Sequence, residues 1–386
     1  MPPLPNPLVE AVAEPAILRA RAWLDGYDGR CGPPLDLTQA APPYGPHPEL
    51  LDRLGRAAAE SGMARYGAVR GEAGLRDRYA AHLGEILGGS IVPEAVTITA
   101  GCNQAFFITA LALLQRGDAV LLPTPWYFNH AMTLGMLGIE TRALPAAAEA
   151  GFVPDAGDAE ALIDDRVRAI VLVTPNNPTG ATYPPAVIAA FHDLCRRRGL
   201  WLIVDETYRD FRSGADRPHD LAAGGWPDGV VGLYSFSKAY AVPGHRLGAI
   251  TAPHDLASSL LKVQDCVQIC AGRPIQHALT WGLDALAPWR EERRREVAGA
   301  GAMFRAAMTA AEGWKIASLG AYFAYLRHPC AGVPAAIVAE RLARERGVLV
   351  LPGSDFGPGQ ERYLRLSFPS LTPPQAAALV ERLNSA

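Results

Sequence analysis

The chain has 386 residues, of which 49 % are hydrophobic and 19 % charged, with a formal net charge of −3. That length suits a large domain with a smaller companion. The composition excludes a disordered chain and a global basic field for nucleic acid.

No uncharged apolar run approaches the ~20 residues of a bilayer span. The N-terminus carries prolines and acids rather than a basic segment followed by an apolar one, so no signal peptide is expected. Six cysteines (Cys31, Cys102, Cys195, Cys266, Cys270, Cys330) are scattered without metal-ligand spacing. They read as free thiols in a reducing compartment, with no metal site. A cytoplasmic enzyme without membrane or nucleic-acid partners is the expectation.

Residues 1–48 are rich in proline and weakly periodic, apart from a helix-like stretch near Ile17 to Leu24, and read as an arm laid on another surface. From Glu49 onward helices alternate with short apolar strands. The strand candidates are Val96 to Thr99, Ala119 to Leu122, Ala169 to Thr174, Leu200 to Val204, Val230 to Tyr234 and Leu247 to Thr251. Continuous apolar runs of this kind suit strands buried on both faces of a mainly parallel sheet. Helices are expected at Gln104 to Leu114 and at Pro184 to Arg198, the latter stopped by Gly199. A long amphipathic segment, Pro288 to Ala311, begins with the run Arg290 to Arg295, whose interleaved acids mark a solvated helix face. Beyond it, Ala321 to Leu326, Val348 to Leu351 and Tyr363 to Phe368 read as strands separated by helices. The expected fold is α/β: a large domain (49–287) with a mainly parallel mixed sheet flanked by helices. A smaller α+β domain combines 288–386 with the arm, 1–48.

Polar residues of interest collect where strands end, the place at which open α/β sheets take ligands. After the first strand, Gly101-Cys102-Asn103 opens a helix, and free N–H groups there could cradle a phosphate. Alone this is an ordinary helix start. After the second strand comes Trp126-Tyr127-Phe128-Asn129-His130. These rings could be core, or one could stack on a planar ligand. The third strand runs into Asn176-Asn177-Pro178-Thr179-Gly180, a turn that Asn177 could simply cap. Asp205, at the end of the fourth strand, is costly to bury unless paired, although it too could serve as a cap. The fifth strand runs into Ser235-Phe236-Ser237-Lys238, with Arg246 eight residues further on. A lysine so placed is a candidate for covalent chemistry with a carbonyl compound.

Taken jointly, the chain resembles the fold-type-I enzymes that use pyridoxal 5'-phosphate, specifically the class I/II aminotransferase family (aspartate aminotransferase-like). The matching pieces are Tyr66 with Gly71, "TAGCNQA", "PTPWYFNH", "TPNNPTG", "VDETY", "SFSKAYAVPGHRLG" and "YLRLSF", spread from about Leu35 to the C-terminus. The resemblance implies that Lys238 forms the internal aldimine and later serves as general base. It implies that Asp205 pairs with the pyridine nitrogen, supported from behind by His130. Tyr208 and Asn177 would bond the phenolic oxygen, and the Tyr127 ring would stack on the cofactor. Ser235, Ser237, Arg246 and the Gly101-Cys102-Asn103 turn would hold the phosphate. Tyr66 would reach the phosphate of a neighbouring subunit, implying a homodimer with shared sites. Arg365 would bind the substrate carboxylate. The implied reaction moves an amino group between an L-amino acid and a 2-oxo acid.

The arm departs from the family pattern. Ala40 stands where a glycine commonly approaches the substrate carboxylate. A second cation for a dicarboxylate could come from Arg273 or Arg70, both of which also suit surface roles. The motif set fixes the cofactor and Cα deprotonation but not the fate of the carbanion. C–S β-elimination, a cyclopropane-forming synthase-like reaction and amino-acid oxidation remain alternatives on the same scaffold.

Overall fold

The computed structural model describes residues 3–214 and 216–385. Its strands, in chain order, are β1 (Leu35–Asp36), β2 (Val96–Thr99), β3 (Ala119–Thr124), β4 (Glu140–Pro145), β5 (Val167–Val173), β6 (Trp201–Asp205), β7 (Val230–Ser235), β8 (Gly248–Thr251), β9 (Lys315–Gly320), β10 (Phe323–Arg327), β11 (Val348–Leu349), β12 (Leu351–Pro352) and β13 (Tyr363–Ser367).

Seven of them form one mixed sheet in the order β2-β8-β7-β6-β5-β3-β4, in which β8 alone runs antiparallel to its neighbours. The apolar runs produce this sheet by burying both faces. Val120, Leu122, Val171, Ile203, Val231 and Leu233 enter one core with the Cys102–Leu113 helix. Their neighbours Ala119, Leu121, Ile170, Leu172, Leu202 and Val204 enter another with the Pro185–Arg198 helix. That helix stops at Gly199, whose φ of 67° is the left-handed closure expected there.

A second sheet, β12-β13-β10-β9, is antiparallel and packs through Leu364, Leu366, Phe323 and Tyr322 on a separate core. The arm contributes β1, which pairs in parallel with β11, and the Ala16–Ala22 helix, which rests on Leu351 and Phe356. A helix at Ala287–Ala307 leads from the first region into the second.

Three details differ from the expectations. β4 and β9 were not anticipated. Both are sheet-edge strands, only partly buried, and β4 carries Glu140 and Arg142. A partly exposed edge strand can replace the continuous apolar run with a mixed one, whereas the edge strand β2 is buried throughout. The run Val348 to Leu351 is divided at Val350, and its halves join different sheets. Among the described residues no helix is long and apolar enough to cross a membrane.

Candidate active site

The exits of β5, β6 and β7 and the start of the Cys102–Leu113 helix enclose a cavity of about 370 Å³, within the range of small-molecule sites. Tyr127, Asn177, Asp205, Tyr208, Ser235, Ser237, Lys238, Arg246, Cys102 and Asn103 all line it, joined by Gln39, Val173, Thr207 and Pro243. Clefts of about 550 and 770 Å³ elsewhere contain no lysine, and one of about 580 Å³ has only the exposed Lys262.

Among the described residues Lys238 has no carboxylate partner. Its ammonium donates to the carbonyl of Ala40, and burial, with Arg246 and Arg365 alongside, lowers its pKa to about 8. Such an amine is a poised nucleophile and base near neutral pH.

Asp205 closes β6, and its strand alternation aims it at the Cys102–Leu113 helix, on the same face as Ile203. His130 Nε2 lies 3.2 Å from Asp205 Oδ2, and Thr207 donates its N–H to Asp205 Oδ1 at 2.9 Å. Burial pushes this carboxyl up, but His130 and Thr207 outweigh it and hold it below its usual value. A carboxylate accepts only, so His130 carries its proton on Nε2. Its Nδ1 is buried without a partner, and the ring stacks on Phe106 at 3.9 Å.

Tyr208 is 4 % exposed, and burial drives its phenol far above the normal range, so it remains a hydrogen-bond donor. Tyr127 donates to Asn103 at 3.2 Å and accepts from Asn129 at 2.9 Å, which fixes its ring at the cavity wall.

At the other end, Gly101 permits a close approach. A Cβ there would lie 2.3 Å from Arg246 Nη2, and φ is +91°. Arg246 itself adopts φ 49°, a strained value for a non-glycine residue. Ser235 Oγ accepts from the Ser237 N–H at 3.3 Å, leaving its own proton to donate. Guanidinium, hydroxyls and a helix N-terminus thus converge on one anion-sized space.

Arg365 does not itself line the cavity but stands against Asn177, which does. On β13, Leu364 and Leu366 enter the core, so Arg365 faces the opposite way. Its Nη1 donates to Asn177 Oδ1 at 3.3 Å, its Nη2 donates to the carbonyl of Thr38, and Nε is buried without a partner. Burial lowers this group to about 10.

Tyr66 does not join the cavity of its own chain; it is 81 % exposed. Arg273 is engaged by Glu72 at 2.6 Å and by the carbonyl of Gly62 at 2.7 Å, and Arg70 donates to the carbonyl of Glu94. Neither lines the cavity. Sequence reasoning missed Thr207 and Gln39. The first had a signal: an aspartate ending a strand commonly caps the N–H two residues on.

A family model described as aminotransferase class I and II matches residues 33–383. An arginine–pyruvate transaminase of Pseudomonas aeruginosa is 30 % identical over 307 residues, 79 % of this chain and 78 % of that one. An aromatic aminotransferase of Arabidopsis thaliana is 29 % identical, covering 91 % and 89 %. Among solved structures, aspartate aminotransferase from Thermus thermophilus with maleate is 25 % identical and superposes at a TM-score of 0.90 over 100 % of both chains.

Proposed function

The chain belongs to the class I and II aminotransferase family, and on that premise we propose how its residues carry out amino-group transfer dependent on pyridoxal 5'-phosphate. The supporting observation is the meeting of Lys238, Asp205 and Arg246 around one cavity. The donor set suits the cofactor. It offers an anion cradle at Arg246, Ser235, Ser237 and the Gly101-Cys102-Asn103 turn, and an uncompensated amine at Lys238. A carboxylate, Asp205, stands ready for a ring nitrogen.

When bound, the cofactor supplies a conjugated ring that takes up the electron pair released at the substrate's Cα. Asp205 would accept a hydrogen bond from the ring nitrogen and favour its protonated form, while His130 holds the carboxylate in place. Tyr208 and the Asn177 amide, whose Oδ1 is already held by Arg365, would donate to the phenolic oxygen. The Tyr127 ring, which lines the cavity, would cover one face of the cofactor. Arg365 takes the substrate carboxylate in a fork and thereby orients the Cα–H bond, with Asn177 and the Ala40 backbone alongside. Lys238 Nζ is the covalent attachment point. Once freed, it would be the group placed to accept the Cα proton and hand it on.

We further propose a homodimer, with Tyr66 completing the partner's phosphate cradle, because that side chain is exposed and stands outside its own cavity. The six cysteines are unpaired, which suits the cytoplasmic location we propose.

The test mixes the loaded protein with single amino acids and no oxo acid. The expected result is one equivalent of oxo acid per site, with the cofactor converted to its amine form. Continuous ammonia release with the original spectrum restored would overturn the assignment in favour of elimination or oxidation. Borohydride treatment before substrate should attach the cofactor at Lys238.

A further inference from the structure

Behind the cavity lies a buried charged cluster that the roles above do not use. Strand alternation sends Glu206 to the face opposite Asp205. Glu206, Arg209 and His219 are 3 %, 4 % and 1 % exposed, and none lines the cavity. Arg209 Nη1 donates to Glu206 Oε2 at 3.0 Å, and the Arg209 N–H donates to the Glu206 carbonyl, also at 3.0 Å. The same two residues are therefore joined by main chain and side chain, closing a turn. The two residues between them are Thr207 and Tyr208, both of which line the cavity.

The cluster extends to the strand that leads to the lysine. The Arg209 guanidinium sits 4.5 Å over the Tyr234 ring. Tyr234 precedes Ser235 on β7, and its hydroxyl donates to Asp210 at 2.7 Å. Asp210 in turn accepts from Arg290 at 2.9 Å. The Leu221 N–H donates to His219 Nδ1 at 3.4 Å, which leaves the proton on Nε2, 3.6 Å from Glu206 Oε1. Burial alone would raise the Glu206 carboxyl, but Arg209 and His219 hold it at about 2. A buried ion pair seldom adds net stability over a well-packed apolar pair. What this pair does supply is geometry, a turn held from behind by a two-point clamp.

We propose that Glu206 and Arg209 are positioning residues, whose buried pair fixes the Asp205–Arg209 turn so that the Tyr208 hydroxyl meets the cofactor's phenolic oxygen. The inference rests on the proposed role of Tyr208, and its test separates the two. A donor at that oxygen favours its anionic form and lowers the midpoint pH of the bound cofactor's colour change. The experiment titrates the visible absorbance of the loaded protein as wild type, Y208F, E206Q and the double variant Y208F/E206Q, with thermal melts alongside.

Y208F should raise the midpoint, and E206Q should raise it by at least about a third as much. Because both act through one hydroxyl, the double variant should move no further than Y208F alone. A midpoint for E206Q equal to wild type, or additive shifts in the double variant, overturns the positioning role while leaving Tyr208 in its place. No shift in Y208F overturns the role of Tyr208 and this inference with it. Should E206Q fail to fold with Arg209 left unpaired, E206D keeps the charge, shortens the reach and is held to the same outcomes.

Discussion

At the scale of single residues, burial pushes the Lys238 ammonium down and the Asp205 carboxyl up, yet both end below their ordinary values. The Lys238 ammonium falls from 10.5 to about 8. Between those values the unfolded chain binds a proton that the folded one does not. The group therefore costs stability below pH 8, and the cost fades as pH rises toward 10.5. Only the neutral amine attacks an aldehyde, so the rate at which the apoprotein takes up pyridoxal phosphate should climb with pH and level off above about 8. Stopped-flow absorbance between about pH 6 and 9 measures this, and a flat profile would contradict the lowered pKa. Asp205 is lowered despite burial, through His130 and Thr207. Its stabilising contribution is present above the ordinary carboxylate range and is lost as pH falls through its native value. D205N should retain cofactor, since the phosphate anchors are untouched, but lose turnover by about three orders of magnitude. Equilibrium dialysis and single-turnover kinetics read the two effects separately.

At the scale of elements, what the sequence discloses depends on which face a strand buries. Lys238, Asp205 and Asn177 were legible because each follows an apolar run, and a polar residue ending such a run is conspicuous. β4 and β9 were not, because they are only partly buried and need no such run, unlike the buried edge strand β2. Arg365 became a candidate only through the family resemblance, since an arginine between Leu364 and Leu366 follows a strand's ordinary alternation. The Glu206–Arg209 pair was invisible for a further reason. Its depth comes from His219, Tyr234 and Arg290, which the fold rather than the sequence brings together. Close packing between elements is similarly hidden. Gly180, at φ +74°, ends the Asn177 turn and meets the β9–β10 connection so closely that a Cβ would lie 2.2 Å from the Gly320 carbonyl oxygen. G180A should cost about 2–3 kcal/mol, seen as a lower melting temperature. Melting unchanged from wild type would show that the two turns can separate freely.

At the scale of the whole molecule, the exposed Tyr66 gives the proposed dimer a direct test. K238A leaves a chain that can still lend Tyr66, and Y66F leaves a chain with an intact lysine. In a mixed dimer, the site built on the Y66F chain receives Tyr66 from the K238A chain. Mixing the two under subunit exchange should restore one full-affinity cofactor site per mixed dimer, while Y66F alone binds pyridoxal phosphate about tenfold more weakly. Titration of the mixture that shows only the weaker affinity would rule out sharing. Sedimentation of the wild type should give twice the 41.1 kDa chain mass.

The guanidinium and the amine proposed to engage ligands are not waiting in open solvent. Lys238 rests on the Ala40 carbonyl and Arg365 on the Thr38 carbonyl, two residues apart on the arm. The arm is then an occupant of the site as well as one of its walls. Each ligand arrives by exchange, taking a guanidinium or an ammonium away from a backbone oxygen, so its affinity is a difference between two hydrogen-bonded states. Release of residues 38–40 and binding of a small acid form one linked equilibrium, and whatever strengthens one side weakens the other by the same factor.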